Sequence, residues 1–298
     1  MADFRFSSDL VRALLREQHP DLADLELRDV DGGWANQLWR LGDDLAVRMP
    51  RTEDAPAQLR KEQQWLPVLC DHLPLPTPRP IRVGEPSSRF EHTWTIMRWV
   101  DGDPADRAPI TRPDSAEVLA YFLRALHRPS PFDAPVDPVR GVPLSCIQDG
   151  AATWFSQIAD DPRFDAAWQI WQAALAAPAW TGAPRWLHAD LHPANVVVQD
   201  GRLAGIVDFG ELCSGDPAAD LAAAWLLLPD GAARPFFDAY ADADPATITR
   251  ARGLAVVKSL VLISIGQNGR RGLAGGKPTW EPAGHAALDR ALAVSGSR

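Results

Sequence analysis

Residues 185–209 alternate short apolar runs with a few polar positions, and this pattern constrains the chain more than any other part of it. Arg185–Leu187, Val196–Gln199 and Leu203–Val207 read as short strands, and Asp200-Gly201 is a hairpin-turn signal between the last two. Asp190 opens the loop between the first two strands, Asn195 begins the second, and Asp208 ends the third. Asn195 lies five residues after Asp190, and Asp208 thirteen after Asn195. Asp and Asn often do no more than cap turns. Taken singly, each would be read that way. Together they place two carboxylates and a carboxamide at strand ends on one strand–loop–strand–turn frame.

Oxygen donors of this kind suit a hard, octahedral Mg²⁺. They also match what phosphoryl transfer asks of a protein: a group that orients an acceptor hydroxyl, metals that neutralise phosphate charge, and a cradle for the donor. Asp190 is placed to orient a hydroxyl and take its proton late in the reaction, with Asn195 and Asp208 as Mg²⁺ ligands. The offsets are those of a kinase catalytic loop and DFG triplet, which Gly210 completes. His188 reads as a scaffold bonding the loop backbone, and His192 as a loop-stabilising residue. Pro193 and the turn deny the two histidines a helical zinc face. Asp216 reads as the N-cap of a helix with Pro217 in its first turn, and Asp220 as an anchor for the loop amides.

The first hundred residues read as a small α+β lobe. Ser8 caps a short helix through Leu14 and Leu15, followed by strands at Leu25–Val30, Gln37–Leu41 and Leu45–Met49. Gly32-Gly33 and Gly42-Asp43-Asp44 supply the turns. A helix is expected at Ala57–Cys70, with strands at Ile81–Gly84 and Thr93–Val100. Asp101-Gly102-Asp103-Pro104 marks the boundary, giving a nucleotide-binding lobe at 1–100 and a catalytic, substrate-binding helical lobe at 101–298. In the second lobe an apolar stripe runs from Val118 to Leu126 and ends at His127. A proline-rich connection spans Pro129 to Pro143. Helices are expected at Ala151–Ile158, Phe164–Ala177, Pro217–Leu228, Ala232–Ala241, Ala246–Ile265 and Glu281–Ala293.

Composition excludes several classes. A formal charge of −9 offers no basic face for nucleic acid. An acidic surface favours cationic partners, although solubility alone accounts for it. Cys70, Cys146 and Cys213 are scattered and odd in number, which fits a reducing compartment. The amino terminus lacks a long apolar core, and the apolar segments Leu221–Leu228 and Leu254–Ile265 are too short to span a bilayer, Lys258 interrupting the second. A cytoplasmic protein without membrane contact is expected, as monomer or homodimer.

The segments "LHADLHPANVVV", "GIVDFGELCSGDPAADLA" and "GGWANQLWRLGDDLAVRMPR" resemble the aminoglycoside phosphotransferase family of small-molecule kinases. The resemblance runs from about Val30 to the terminal helix. It implies an α+β, bilobal protein-kinase-like fold, with a small antiparallel-sheet amino-terminal lobe and a larger, mainly helical carboxy-terminal lobe. It also implies transfer of the γ-phosphate of ATP, or of GTP, to a small-molecule hydroxyl, with Asp190 as catalytic base and Asn195 and Asp208 holding Mg²⁺. Arg48 stands where a protein kinase carries its phosphate-gripping lysine, replacing a point charge by a planar fork. Glu62 is its expected ion-pair partner. Gly33 belongs to the loop covering the phosphates, and the backbone near Arg98, Trp99 and Val100 is expected to meet the purine edge.

A protein kinase is disfavoured, because the path from Asp208 to Asp220 leaves no room for a long activation segment and Ala189 replaces the HRD arginine. A catalytically dead binding module would have lost the base or the metal ligands, and all three are present. An aminoglycoside-type or other antibiotic is the first expectation for the acceptor. The alternatives are a macrolide, or a metabolite such as choline, a sugar or a hydroxy amino acid. Asp160, Asp161, Glu211, Asp230 and Asp238 are candidates to line a cationic acceptor's site, and Trp280 to wall it or to pack a helix.

Overall fold

In the computed structural model, which describes residues 5–30, 33 and 35–293, the amino-terminal strands assemble around the apolar positions that define them. Helix α1 (Ser8–Gln18) is capped by Ser7, whose hydroxyl accepts from the Leu10 amide at 3.3 Å. Ser7, and not Ser8, takes this place because it is the last extended residue and can turn its hydroxyl back onto the free amides of the first turn. Strands β1 (Leu27–Val30), β2 (Asn36–Leu41) and β3 (Leu45–Pro50) follow, then helix α2 (Ala55–Cys70) and strands β4 (Pro80–Gly84) and β5 (Trp94–Arg98). The sheet is antiparallel in the order β1-β2-β3-β5-β4. Val11, Leu14 and Leu15 of α1 pack with Trp39, Leu41, Val47, Met49, Trp94 and Ile96. Strand alternation then sends Arg48, between Val47 and Met49, to the opposite face. There it meets Glu62 on α2.

These elements form one compact unit, residues up to Asp101, which also takes in Ile206–Glu211. The second unit comprises Gly102–Gly205 and the chain from Leu212 onward. It is built from strand β6 (Asp103–Pro104), helices α3 (Ser115–Leu126), α4 (Gln148–Ser156) and α5 (Phe164–Ala176), and strands β7 (Arg185–Leu187), β8 (Val196–Gln199), β9 (Arg202–Ile206) and β10 (Cys213–Gly215). Helices α6 (Ala218–Leu221), α7 (Ala223–Leu226), α8 (Ala233–Tyr240), α9 (Pro245–Arg270) and α10 (Trp280–Leu292) complete it. The β8–β9 hairpin turns through Asp200 and Gly201, both at positive φ (52° and 75°), as a two-residue turn of the type I′ class requires. Helix α9 packs against α5, α6 and α10. Gly253 makes the α5 approach possible: a Cβ there would lie 2.3 Å from the Ala174 Cβ.

Apart from the cap of α1 and shifts of up to three residues at other element ends, such as α4 against the expected Ala151–Ile158, the mixed α+β architecture differs from the sequence pattern in three ways. The helix expected over Pro217–Leu228 is divided at Ala222, where the bonds Ala222 N–Ala218 O and Leu226 N–Ala222 O are both 3.3 Å long. Helix α9 continues past Ile265 to Arg270, because its last turns are polar and the apolar periodicity stops marking it. Strands β6 and β10, paired with β8 and β7, have two and three residues, too few to leave an alternation in the sequence. None of the described helices is long and apolar enough to cross a membrane.

Candidate functional site

The first constellation is built on β3 and α2. Arg48 Nη1 donates to both Glu62 oxygens, at 2.7 and 2.5 Å, and Arg48 Nη2 donates to Asp208 Oδ1 at 2.6 Å. The side chains of Arg48 and Glu62 are 8% and 4% exposed, so this is not the ordinary surface pair that sequence alone would allow. Burial opposes the charge on Arg48, but Glu62 and Asp208 outweigh it and hold the guanidinium above its usual pKa. Burial pushes the Glu62 carboxyl up, and Arg48 draws it part of the way back. Asp208 has a left-handed backbone (φ 63°), a conformation that costs a non-glycine residue about 1 kcal/mol. Its side chain remains half-exposed beside the buried Phe209.

Gly33 has φ +65°, and a Cβ there would collide with the Asn36 carbonyl, so this turn admits glycine alone. Its carbonyl accepts from Arg51. Asp31, Gly32 and Trp34 of the expected phosphate-covering loop, Asp31–Asn36, lie outside the described residues. Val100 is buried, and the Trp99 indole lies under the Arg40 guanidinium at 4.8 Å. The amides of Arg98 and Trp99 donate to the carbonyls of Arg79 and Asp44 at 2.9 and 2.8 Å. Those two donors are therefore engaged within the unit.

The second constellation is the loop between β7 and β8. Asp220, fully buried on α6, accepts from the amides of His188 at 2.7 Å and Ala189 at 2.8 Å. His127, at the end of α3, lies 3.2 Å from the same carboxylate, and its other ring nitrogen meets the Tyr240 hydroxyl at 2.8 Å. Burial pushes the Asp220 carboxyl up, but the His127 bond and the positive charge of His127, His188 and Lys258 together outweigh it and hold the group below the usual range. The His188 ring accepts from the Asp190 amide at 3.2 Å, and His192 accepts from Ala194 at 3.2 Å, closing the turn. Asp216 does accept from the Ala218 amide at 3.0 Å, while Arg250 of α9 grips its carboxylate at 2.8 and 3.2 Å.

Asp190 itself is a partly exposed carboxylate among donors. Asn195 Nδ2 lies 3.0 Å from its carbonyl and 3.3 Å from Oδ2, His192 Nε2 3.5 Å from Oδ2, and Arg140 Nη2 3.9 Å from Oδ1. Desolvation favours its neutral form, but His192, Lys258 and Arg140 overrule it and hold the carboxyl far below the usual range. Such a carboxylate binds a hydroxyl hydrogen without removing it at rest. Asn195 turns its amide nitrogen toward Asp190, so its side-chain oxygen is the atom suited to a hard cation. Among the described residues no three His, Cys, Asp or Glu side chains gather as a metal site. A cation held by one or two protein oxygens and by phosphates is the usual arrangement for Mg²⁺.

Of three residues beside this loop, Arg140 and Lys258 carried no functional signal of their own in the sequence, whereas Trp280 was a candidate to wall the acceptor site or to pack a helix. Arg140 comes from the proline-rich connection. Lys258 comes from α9, where a charge interrupting an apolar run was the available clue; its Nζ lies 3.4 Å from the Ala189 carbonyl. Trp280, at the start of α10, packs its ring 4.6 Å from His192 and so supports the loop as well as the helix. A cavity of about 50 Å³ adjoins Ala189, lined by Val139, Arg140, Val142, Ile147, Leu254 and Lys258 among others. The acidic candidates do not contribute to its wall. Asp161 is engaged by Arg163 at 2.7 Å, Glu211 accepts from Gln58 at 2.8 Å, and Asp160, Asp230 and Asp238 are exposed.

Strand-borne Arg48 paired with a helical glutamate, together with an Asp-x4-Asn loop tied to a buried aspartate, defines a kinase-like phosphotransferase. Residues 26–254 match the family described as "Phosphotransferase enzyme family". The chain belongs to this family. It is 28% identical over 195 residues to viomycin phosphotransferase of Streptomyces vinaceus, a match covering 61% of this chain and 67% of that one. Its fold is shared with APH(2")-IIia, solved as a GDP and kanamycin complex (TM-score 0.66, 18% identity, 94% of this chain and 97% of that one). It is shared also with macrolide 2'-phosphotransferase MphH of Brachybacterium faecium (TM-score 0.60, 22% identity, 94% and 97%).

Proposed function

We propose that the chain transfers the γ-phosphate of ATP or GTP to a hydroxyl of a small molecule, in a Mg²⁺-dependent reaction, and that the acceptor is an antibiotic. The single observation carrying this reading is the state of Asp190: a carboxylate kept ionised by surrounding donors and reachable by solvent on a loop with no slack. Asp190 accepts the hydrogen bond of the acceptor hydroxyl, aligns its oxygen, and receives the proton as the bond to phosphorus forms and the bond to the leaving diphosphate breaks. Arg48, fixed by Glu62, presents positive charge to the phosphates. Gly33 lets the backbone approach them, and Trp99 and Val100 contribute to the nucleotide's base site. Mg²⁺, held by Asn195 and Asp208, would neutralise phosphate charge. A kinase of this reading works as monomer or homodimer in the cytoplasm.

The antibiotic class is supported by the viomycin-phosphorylating relative and by the fold shared with aminoglycoside and macrolide enzymes. A second reading, a neutral sugar as acceptor, is favoured by Arg140 and Lys258 beside the loop, whose positive charge disfavours an ammonium, choline's or an amino acid's, at that point. A screen with labelled ATP and GTP across viomycin, kanamycin, macrolides, sugars and hydroxy amino acids, with and without Mg²⁺, decides between them. Asp190→Asn should lower turnover on the acceptor found by on the order of 10²–10⁴-fold. Unchanged turnover would remove Asp190 from its role, and exclusive use of a metabolite would overturn the antibiotic assignment.

A further inference from the structure

Ala189, the residue before Asp190, is held in the left-handed region at φ 69°. An alanine there costs roughly 1–2 kcal/mol, and such a conformation persists only where its surroundings over-determine it. Its two peptide groups are each held from outside the loop. The amide donates to Asp220 Oδ1 at 2.8 Å, and the carbonyl accepts from Lys258 Nζ at 3.4 Å. That carbonyl belongs to the peptide linking Ala189 to Asp190, so its orientation sets the direction in which the Asp190 side chain leaves the backbone. Lys258 is well placed for such a task, because α9 is packed against α5, α6 and α10. Eight residues earlier on the same stripe, Arg250 grips Asp216, which opens the segment carrying Asp220. One helix therefore braces both supports of the loop.

We propose that Lys258 is a positioning residue for phosphoryl transfer, its ammonium fixing the Ala189–Asp190 peptide from the carbonyl side while Asp220 holds Ala189 from the amide side. The inference rests on the reading of Asp190 as the group that orients the acceptor hydroxyl. Lys258 acts through the loop and does not touch the reacting atoms. Arginine can reach the same carbonyl with a retained charge, whereas methionine keeps the length and loses the donor.

The test is a spectrum of the full chain labelled with carbonyl-¹³C alanine and ¹⁵N aspartate, in which the Ala189–Asp190 cross-peak is assigned by its loss in Asp190→Asn. Lys258→Met should displace that cross-peak, and Lys258→Arg should bring it back toward its native position. Hydrolysis of Mg²⁺·ATP with water as acceptor should fall on the order of tenfold in kcat in Lys258→Met, with KM for ATP unchanged and kcat recovered in Lys258→Arg. Lys258→Gln, neutral and shorter, should displace the peak likewise and serves if the methionine variant does not fold. A cross-peak that stays in place in the neutral variants overturns the proposal. A native protein that hydrolyses no ATP would count against the kinase reading instead, and the cross-peak would still decide the role of Lys258.

Discussion

At the scale of single residues, the groups of the two constellations owe their states to close neighbours more than to exposure. Asp208 and Ala189 sit at positive φ, Arg48 is charged although buried, and Asp190 is ionised although desolvation opposes it. Asp161 shows the same principle away from the site. Its bonds to Arg163, at 2.9 and 2.7 Å from the side chain, lower its carboxyl to about 2. A carboxyl depressed on folding contributes stability above its unfolded pKa, near 3.9, and loses it as pH falls toward the folded value. Asp161→Asn should therefore cost about 1 kcal/mol at pH 7, discounted for the solvent screening of a partly exposed pair. The difference should close between about pH 4 and pH 2, read from denaturant unfolding of both proteins across that range. A gap that stays constant down to pH 2 would assign the effect to something other than this carboxylate. Sequence offered Asp161 as an acceptor-site acid because a carboxylate's partner is invisible there. The arginine two residues later was visible, but its geometry was not.

Among the elements, what was legible depended on how locally each was determined. The β8–β9 hairpin could be read from Asp200-Gly201, the loop from the Asp190–Asn195 spacing, and α2 from its apolar period, because each signal lies within one short stretch. The pairing of Arg48 with Glu62 was legible too, through the family resemblance set on a strand followed by a helix. Strands β6 and β10 exist only by pairing with distant partners, and Arg140, His127 and Lys258 reach the loop from other elements, so no window of sequence contains them. Gly253 belongs to the same category: in sequence it is a weak point in a helix, and in the structure it is where α9 meets α5. Two effects oppose each other in Gly253→Ala. Helix propensity favours alanine by about 1 kcal/mol, but its Cβ would stand 2.3 Å from the Ala174 Cβ, which is fixed to backbone and cannot swing away. Overpacking costs typically 1–3 kcal/mol, so a net loss of about 1 kcal/mol is expected. Combining it with Ala174→Gly should recover part of the loss, because the clash is removed. Recovery in the double variant, measured by thermal or denaturant unfolding, separates packing from any general intolerance of the site. A Gly253→Ala protein more stable than the native one would show that α5 yields.

For the whole molecule, the division into two units, with Ile206–Glu211 belonging to the first, bears on how ligand binding should be read. Asp208, a proposed Mg²⁺ ligand, lies in the first unit with Arg48, while Asp190 and Asn195 lie in the second. A chain built this way need not unfold in one step, so a single melting temperature is meaningful only if two probes give the same transition. A ligand that binds the native chain and not the unfolded one stabilises it by about 2.7 kcal/mol at a hundred times its Kd, which for a chain of this size corresponds to a rise on the order of 4 °C. Mg²⁺·ATP or Mg²⁺·GTP should produce such a rise, and the larger of the two identifies the preferred donor. The metal's share is isolated by Asp208→Ala, which should keep a smaller rise with nucleotide and lose most of the increment that Mg²⁺ adds. Asp190→Asn should retain nearly all of the native increment, because that carboxylate is assigned to the acceptor and not to the nucleotide. If neither nucleotide moves the transition with Mg²⁺ present, nucleotide binding fails and the proposed reaction fails with it. If Asp190→Asn abolishes the rise while Asp208→Ala preserves it, the roles assigned to the two carboxylates must be exchanged.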